Sequence, residues 1–412
     1  MVEVVYERCC GLDIHKQTVV ACLLVAGQDN QGPQKEIRTF GTLTDELLQL
    51  ADWLSQAGCT HVAMESTGVY WKPIYNLLEG GFTLLLVNAR HIKQVPGRKT
   101  DVRDCEWIAE LLRHGLLRAS FVPDRPQREL RELTRYRTSL IRERAAEVNR
   151  VQKTLEGANI KLSSVATDIV GLSGRRILAE LVAGTSDPSA LAELAKGKLR
   201  SKLPQLERAL SGRVGAHQRF LLTQQLAHLD ALDELIDQLS AEVAERLRPF
   251  AAALVHLDTI PGVGLRTAET LVAEIGTDLG RFPTAAHLAS WAGMCPGNDE
   301  SAGKRRSGKT RKGDTWLRTA LIEAAQAAGR TRGTYLAAQF HRLATRRGKK
   351  KALVAVGHSI LVIAYHLLTE DTEYRDLGPI FFDQRDEQRV TRRLVDRLHA
   401  LGYTVQLDRP AA

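Results

Sequence analysis

The chain has 412 residues, a formal net charge of +9 and a hydrophobic content of 44%. Because this length exceeds the size at which one hydrophobic core usually stops growing, the sequence predicts two or three domains. The positive charge favours a polyanionic partner where the basic residues are clustered. None of the six cysteines belongs to a C-x-x-C pair, which argues against a zinc site or a disulfide framework and predicts buried, reduced thiols.

Nothing near the N-terminus has the pattern of a signal peptide, since no basic segment is followed by an apolar one. No uninterrupted apolar run reaches the roughly 18 residues of a membrane-spanning helix. The sequence therefore predicts a soluble, cytoplasmic protein without a membrane partner.

Residues 2 to 87 alternate between short β-rich runs and amphipathic helices. The predicted strands cover residues 2–12, 18–26, 35–40, 61–64 and 82–87, and the predicted helices cover residues 43–54 and 69–78. Thr42 or Thr44 can cap the first of these helices. This βββαβαβ order, followed by a helix at Asp101, predicts a mixed sheet with flanking helices, the α/β part of the fold.

Two acidic residues are predicted at the ends of strands. Asp13 follows the first strand and Glu65 follows the fourth, and open α/β sheets bind their ligands at the C-terminal ends of their strands. Gly68 allows a sharp exit of the chain after Glu65. We therefore expect Asp13 and Glu65 at a functional edge of the sheet.

Two further carboxylates, Asp101 and Asp104, lie one helical turn apart. At this spacing they could share one divalent cation, but an acidic first turn with a capping Thr100 or Asp101 is also a common way to begin a helix. Both interpretations stay open for these two residues alone. Lys99 and Arg103 flank the acids and are expected to position nucleic acid.

The four acids acquire a common interpretation when they are taken together. Asp13, Glu65, Asp101 and Asp104 would repel one another strongly without a bound cation. Hard oxygen ligands are what Mg²⁺ prefers, and phosphodiester cleavage needs cations that activate the attacking oxygen and neutralise the leaving one. The sequence therefore predicts a Mg²⁺ (or Mn²⁺) site made of these four residues.

The middle of the chain contains two long helical patterns, residues 126–157 and 218–248. In the second, apolar residues recur every seven positions from Leu222 to Val243, which is typical of a coiled coil. The two patterns predict an antiparallel helical coiled-coil hairpin. Residues 158–217 predict shorter helices, either a small cap or a dimer contact, with no assigned function.

From residue 257 to residue 276 the sequence has the form of a helix-hairpin-helix. Gly262 and Gly264 lie in its turn, where exposed backbone N–H groups at a helix N-terminus form a good phosphate seat. A glycine-bearing turn between two core helices is the alternative. The rest of this region predicts a mostly helical C-terminal domain.

The most basic segment follows, and six of the nine residues from 304 to 312 are Lys or Arg. These residues are Lys304, Arg305, Arg306, Lys309, Arg311 and Lys312. Set among Ser, Thr and Gly, they could lie along a phosphodiester backbone, and a second basic cluster at residues 346–351 extends the surface. A solvated, disordered loop is the alternative interpretation.

Several of these motifs together resemble one family. The segments are 11–16 (GLDIHK), 64–71 (MESTGVYW), 88–90 (NAR), 99–104 (KTDVRD), 260–264 (IPGVG), 291–293 (WAG) and 298–304 (NDESAGK). In this order they look like the motifs of the DEDD transposases of bacterial insertion sequences, whose N-terminal domain resembles the RuvC junction resolvase and has the RNase H fold. The resemblance implies four segments: a RuvC-like metal domain (1–125), the coiled-coil region with its insert (126–250), a helix-hairpin-helix and serine transposase domain (251–370) and a C-terminal tail (371–412).

The same resemblance implies roles and partners. Asp13, Glu65, Asp101 and Asp104 match the metal-binding tetrad, and Ser301 matches the serine that attacks DNA and forms a 5′-phosphoserine link. A structured bridge RNA that pairs with donor and target DNA, and a dimer that assembles to a tetramer, are also implied. From the residues alone, Ser301 and Ser307 are both ordinary loop serines, and activation by a metal ion is the plausible route because no Ser-His-Asp order is evident.

Three functions follow as hypotheses. The first is a Mg²⁺-dependent DNA transposase that excises and inserts its element through a serine-linked intermediate. The second is a RuvC-like junction endonuclease that uses the four acids for hydrolysis by water. The third is a nucleic-acid binder without catalysis, which would use the helix-hairpin-helix and the basic segment.

Overall fold

The structure is a computed structural model, and it describes residues 3–27, 32–66, 68–88, 104–297, 299–310 and 312–407. The chain divides into two compact units, Met1–Arg128 and Glu129–Ala412. The four-segment division stays a prediction. Each unit is described by itself below.

The first unit is built on a five-stranded mixed sheet with the order β3-β2-β1-β4-β5. Its strands are β1 (Arg8–Ile14), β2 (Thr18–Val25), β3 (Gln34–Gly41), β4 (His61–Glu65) and β5 (Thr83–Val87). The first three strands are antiparallel, and β1, β4 and β5 are parallel. The predicted mixed sheet is confirmed, and with its helices it fits an RNase H-like α/β arrangement.

The predicted start of the first strand is wrong. Val4 and Val5 are 40% and 53% exposed and precede β1, which begins at Arg8. The reason is the length of the partner strand, since β2 ends at Val25 opposite Arg8. The backbone N–H of Val5 instead donates a hydrogen bond of 2.9 Å to the carbonyl oxygen of Arg113.

Helices cover both faces of the sheet. They are α1 (Thr44–Gln56), α2 (Trp71–Leu78) and α3 (Asp104–Arg113). Leu12 and Met64 pack into the core on the face of α1 and α2, whereas Cys9 and Ala63 pack into the core on the face of α3. This alternation follows from the two-residue period of a strand.

The predicted threonine cap of α1 is wrong. No side chain caps the helix at Leu43, and the hydroxyl of Thr42 donates to the carbonyl oxygen of Lys16. The carboxylate of Glu46, in the first turn, instead accepts a hydrogen bond of 3.1 Å from the backbone N–H of Gly41. An acid in the first turn also suits the helix dipole.

The predicted burial of the cysteine thiols is confirmed for most of them. Five of the six are buried, all in the first unit, and only Cys295 is partly exposed. Burial raises the pKa of the Cys9, Cys22 and Cys59 thiols to about 12, so these groups stay protonated at neutral pH.

The second unit contains a hairpin of two long antiparallel helices, α4 (Arg125–Gly157) and the later α9 (Ala216–Leu247). Leu140 packs against Leu232 and Ile236 midway along the hairpin. Near one end, a guanidinium nitrogen of Arg246 lies 3.0 Å from a carboxylate oxygen of Glu129. The predicted long helices are therefore present and antiparallel.

Shorter helices connect the two arms of the hairpin. They are α5 (Leu162–Val165), α6 (Leu172–Ala183), α7 (Pro188–Glu193) and α8 (Leu203–Leu210), with a 3₁₀ turn at Gly197–Lys202. Their apolar side chains form one core with Val151 and Leu155 of α4 and with Leu222 and Leu229 of α9. The insert is thus a helical cap on one end of the hairpin.

The described residues of the rest of the second unit form mainly helices, together with one small hairpin. The helices are α10 (Ala251–Asp258), α11 (Leu265–Ile275), α12 (Ala285–Trp291), α13 (Thr315–Ala328), α14 (Tyr335–Arg347), α15 (Lys349–Glu370), α16 (Phe381–Gln384) and α17 (Glu387–Ala400), and the strands are β6 (Asp299–Ser301) and β7 (Lys304–Ser307). The segment predicted as a polar tail after residue 370 therefore contains α16 and α17.

Within the described ranges, α15 is the one helix long and apolar enough to cross a membrane. Core helices of soluble proteins can be equally long and apolar. Its buried residues include Val356, Ile360 and Ala364, and the helix contacts α12, α13 and α14.

Candidate active site

Two of the predicted acids are neighbours in the sheet. Leu12 of β1 pairs with Met64 of the parallel strand β4, and Asp13 and Glu65 are the next residue of each strand. Adjacent strands lie about 4.8 Å apart, so the two carboxylates begin from neighbouring backbone positions. Both lie at the C-terminal ends of their strands, as the sequence predicts.

The same two acids belong to the face of the sheet that α3 covers. Asp13 follows Gly11 by two positions and Glu65 follows Ala63 by two, so each pair shares a face. A Cβ added at Gly11 would lie 2.4 Å from the carbonyl oxygen of Cys105 and from the backbone nitrogen of Ala109. The helix α3 therefore rests directly on β1 at Gly11.

The direction of α3 brings its first turn toward the acids. The thiol of Cys9 contacts the carbonyl oxygen of Ala109, whereas Gly11 lies against Cys105, so the helix runs opposite to β1. Its N-terminal residue, Asp104, is therefore on the side of Asp13, and it is exposed. The predicted third acid is thus at the same end of the same face.

Two basic side chains of this unit pair with acids of β1 and α3. His15 Nε2 lies 3.3 Å from Asp13 Oδ2, with 28% of the Asp13 side chain exposed. Lys35 Nζ of β3 donates a hydrogen bond of 2.9 Å to Glu106 Oε2 in the first turn of α3. This hydrogen bond raises the pKa of Lys35 above its ordinary value. It also connects the first turn of α3 to β3, an outer strand of the sheet.

Several predicted residues lie outside the described ranges. They are Lys99, Asp101, Arg103 and Arg311. In the ranges that the structure does describe, no three His, Cys, Asp or Glu side chains form a group that could hold a metal ion. The four-acid site therefore stays a prediction, and Asp13, Glu65 and Asp104 are the part of it whose positions are known.

Ser301 ends the first strand of a β-hairpin. Its backbone pairs with Lys304 of β7, and Ala302 and Gly303 form the turn, with φ of 50° and 74°. A left-handed conformation at alanine costs about 1–2 kcal/mol. Residues that sequence reasoning assigned to an irregular basic loop are therefore a hairpin with a strained tip beside Ser301.

Three lysines of the basic segment have a known exposure. Lys304, Lys309 and Lys312 are exposed. Arg305 and Arg306 lie on β7 by their backbone. The exposed positions suit contact with a polyanion.

The two glycines of the predicted phosphate seat differ from one another. Gly262 has φ of 89°, and a Cβ there would lie 2.4 Å from the carbonyl oxygen of Ala324 on α13. Close packing therefore accounts for Gly262 without a ligand. Gly264 has open space around it and immediately precedes α11, whose first N–H groups have no partner within the helix.

Comparisons with known proteins agree on one family. A family model described as a transposase, of DEDD type and named after IS110, matches residues 10–160. A second, described as the transposase IS116/IS110/IS902 family, matches residues 255–342, and together the two span more than half of the chain. The chain belongs to the DEDD transposases of bacterial insertion sequences.

Two named relatives of this transposase are similar along most of its length, and a third is similar over a shorter stretch. A probable family 20 transposase of Pseudomonas aeruginosa is 28% identical over 334 residues, which are 79% of this chain and 89% of that protein. The transposase for insertion sequence element IS1111A of Coxiella burnetii is 27% identical over 332 residues, 78% of this chain and 80% of that protein. A pilin gene-inverting protein of Moraxella bovis is 32% identical over 123 residues, 29% of this chain and 37% of that protein.

Membership of the family supports an enzyme that acts on DNA. Transposases of the DEDD type usually use a divalent metal ion. The carboxylates of Asp13, Glu65 and Asp104 are hard oxygen donors, so the described residues suit such an ion chemically.

Sequence reasoning missed a buried network that holds the end of the basic segment in this transposase. Glu274 of α11 is fully buried, and both of its carboxylate oxygens accept hydrogen bonds of 2.7 Å from Arg135 of α4. Arg135 also lies 2.9 Å from Asp314, which caps α13 just after the segment. Burial raises the pKa of Glu274, and the hydrogen bond with Arg135 opposes this.

Proposed function

We propose that this transposase cleaves and rejoins DNA by metal-dependent phosphoryl transfer, with Ser301 as the nucleophile. The observation that carries the proposal is the adjacent placement of Asp13 and Glu65 at the ends of parallel strands, on the face and at the end where α3 begins with Asp104. Carboxylates at the C-terminal ends of neighbouring parallel strands are hard oxygen donors in a position that suits a divalent cation.

In this proposal Asp13, Glu65, Asp101 and Asp104 hold Mg²⁺ or Mn²⁺. The ion would supply Lewis-acid stabilisation of charge on the phosphate oxygens. The carboxylates of this chain bind and orient, and the rigid contact of α3 with Gly11 keeps Asp104 in register with Asp13.

The reaction of Ser301 is a direct displacement at phosphorus. The Oγ atom forms a bond to the phosphorus atom, the bond from phosphorus to the 3′-oxygen breaks, and the 3′-oxygen takes up a proton while the serine hydroxyl loses one. A 5′-phosphoserine link and a free 3′-hydroxyl result. Attack by a second 3′-hydroxyl on the phosphoserine reverses these steps and releases the serine. Lys304, adjacent to Ser301 in the hairpin, can stabilise the negative charge of the transition state.

The partners of the proposal are donor and target DNA, a structured bridge RNA and further copies of the chain, as a dimer that assembles to a tetramer in the bacterial cytoplasm. The motif resemblance supports the RNA and the assembly. The exposed Lys304, Lys309 and Lys312 support contact with nucleic acid, to which Arg305, Arg306, Arg311, Lys99 and Arg103 would add. The open N-terminus of α11 at Gly264 supports a phosphate seat in the proposed helix-hairpin-helix.

The test is covalent trapping on DNA. The full chain is incubated with Mg²⁺, DNA that carries the element ends and the transcript from the flanking non-coding DNA, and covalent complexes are resolved by denaturing electrophoresis. We expect Ser301→Ala to lower the covalent product by at least about a thousandfold, while the matched control Ser307→Ala keeps it. A covalent product that persists in Ser301→Ala would mean that the nucleophile is another residue.

A hydrolytic junction endonuclease is the second candidate, and the paired strand-end acids are compatible with it. It predicts free 5′-phosphate ends and no dependence on Ser301. A binder without catalysis predicts that replacing Asp101 and Asp104 together by alanine leaves transposition intact. The same trapping and transposition measurements separate these outcomes.

A further inference from the structure

A groove lies in the second unit, between α14 and α17. We call it the C-terminal groove; it has a volume of about 880 Å³ and is lined chiefly by the side chains of Arg342, Arg346, Phe382, Asp383, Asp386, Arg389, Arg392, Arg393 and Asp396. None of these residues belongs to the proposed active site.

The groove has an ordered aromatic floor. The ring of Phe382 stacks on Tyr335, with 5.0 Å between centroids and 19° between planes. The guanidinium of Arg342 lies 5.5 Å from the centre of the Phe382 ring. These contacts connect α16 to α14, so the wall that carries Arg342 and Arg346 has a fixed position relative to the floor.

The charges of the groove are unbalanced. Five arginines face three aspartates, and two of the arginines are paired: Arg342 lies 3.8 Å from Asp383, and Arg389 lies 3.9 Å from Asp386. Arg346, Arg392 and Arg393 have no carboxylate oxygen within ion-pair distance anywhere in the described part of the chain. Three guanidinium groups therefore face solvent uncompensated.

The positive surface continues beyond the groove. Arg347, Lys349, Lys350 and Lys351 follow Arg346 at the junction of α14 and α15 and are exposed. Groove and junction together present nine cationic side chains against three acidic ones, which accounts for much of the net charge of +9. In addition, no residue of α17 is buried, so little apolar packing fixes this helix in the free chain.

We infer that the C-terminal groove and the α14–α15 junction bind the phosphodiester backbone of double-stranded DNA. Guanidinium groups match phosphate oxygens in charge and in hydrogen-bond geometry, and closely spaced cations favour a polyanion over a protein with isolated acids. This inference rests on the proposed function for the choice of DNA. Contacts of this kind position the DNA without reading its sequence.

The test is the salt dependence of DNA binding by the full chain. Affinity for a duplex of about 40 base pairs of arbitrary sequence is measured at several salt concentrations, with EDTA present to prevent cleavage. In Arg346→Gln/Arg392→Gln/Arg393→Gln, we expect weaker binding, and the slope of log affinity against log salt should fall in magnitude by about 2 to 3. Arg397→Gln, on the same helix but outside the groove lining, is the matched control and should change neither quantity beyond about one third of this amount.

A variant that binds DNA more tightly cannot be explained by misfolding, which could otherwise account for weaker binding in the triple variant. Asp396→Asn removes a negative charge from the groove and should tighten binding about two- to fivefold, whereas Asp237→Asn, an exposed acid on α9, should not. An unchanged slope in the triple variant overturns the inference. A loss that appears with a structured RNA but not with the duplex overturns the assignment to DNA.

The outcome is separable from that of the proposed function. If the groove does not bind DNA, the Ser301 covalent product still forms. If Ser301 is not the nucleophile, that product is absent, but the triple arginine variant still changes the salt slope of duplex binding.

Discussion

Gly11→Ala tests how closely α3 must approach β1. In the structure, the added Cβ would lie 2.4 Å from the backbone nitrogen of Ala109 and from the carbonyl oxygen of Cys105, and 3.0 Å from the Ala109 Cα. All three atoms belong to the backbone of α3, so no side-chain rotation relieves the clash. The helix must move away as a body, and Asp104 at its N-terminus must move with it.

The magnitude follows from the contact distance. Ordinary van der Waals contact begins at about 3.4 Å, so the helix must retreat by about 1 Å. Overpacking of this kind costs about 1–3 kcal/mol, which lowers the melting temperature of the first unit by about 3–12 °C. A misplacement of 1 Å at a reactive group costs about a hundredfold in rate.

The assay combines thermal unfolding with the DNA cleavage rate of the full chain. Gly157→Ala is the matched control, because a Cβ there meets nothing within 4 Å and alanine favours a helix. We expect the control to unfold at or above the wild-type temperature and to cleave normally. If Gly11→Ala melted like the wild type and kept its cleavage rate, the close contact of α3 with β1 would not be what positions Asp104.

The remaining expectations concern ion pairs and the hairpin. Arg137→Met leaves the buried carboxylate of Glu269, 2.5 Å from Arg137 Nη2, without its partner; the free energy of unfolding by denaturant should fall by about 3–5 kcal/mol and should largely recover in Arg137→Met/Glu269→Leu. The hydrogen bond with Arg128 holds the pKa of Glu79 below its ordinary value. The stabilisation from this pair is therefore present above the unfolded pKa of about 4.3 and is lost as pH falls through the lower folded value. At neutral pH the free energy of unfolding of Glu79→Gln should be about 0.5–1 kcal/mol below that of the wild type, and at acid pH the melting temperatures of the two proteins should converge. At the left-handed Ala302, glycine should preserve covalent trapping and valine should reduce it at least about tenfold, measured on denaturing gels.

Strand-end acids are accessible to sequence reasoning because their placement is local. Asp13 and Glu65 each follow an apolar β-rich run, so the period of the strand and the order of elements were sufficient to predict where they lie. The acids on the following helix are less accessible, since a capping pattern and a metal-binding pattern look alike in sequence. The contact of Gly11 with α3 shows that Asp104 lies at the same end of the sheet face as Asp13.

Long-range contacts could not be predicted from local patterns. Arg135 and Glu274 are 139 positions apart, and nothing in the local sequence of either helix indicates its partner. The hairpin at Ser301 was also missed, because its glycine- and lysine-rich composition is typical of a solvated loop. The glycine of the Ala302–Gly303 dipeptide was the available signal of a tight hairpin turn, although alanine is unusual in a left-handed position.

The central claim is that Ser301 becomes linked to the 5′-phosphate of cleaved DNA. The most direct measurement is mass spectrometry of the trapped complex after digestion with trypsin and nuclease. Cleavage after Arg281 and Lys304 yields a peptide that contains Ser290 and Ser301, and fragmentation separates the two. We expect the nucleotide mass on Ser301; its presence on Ser307, or free 5′-phosphate ends with unmodified peptide, would contradict the claim.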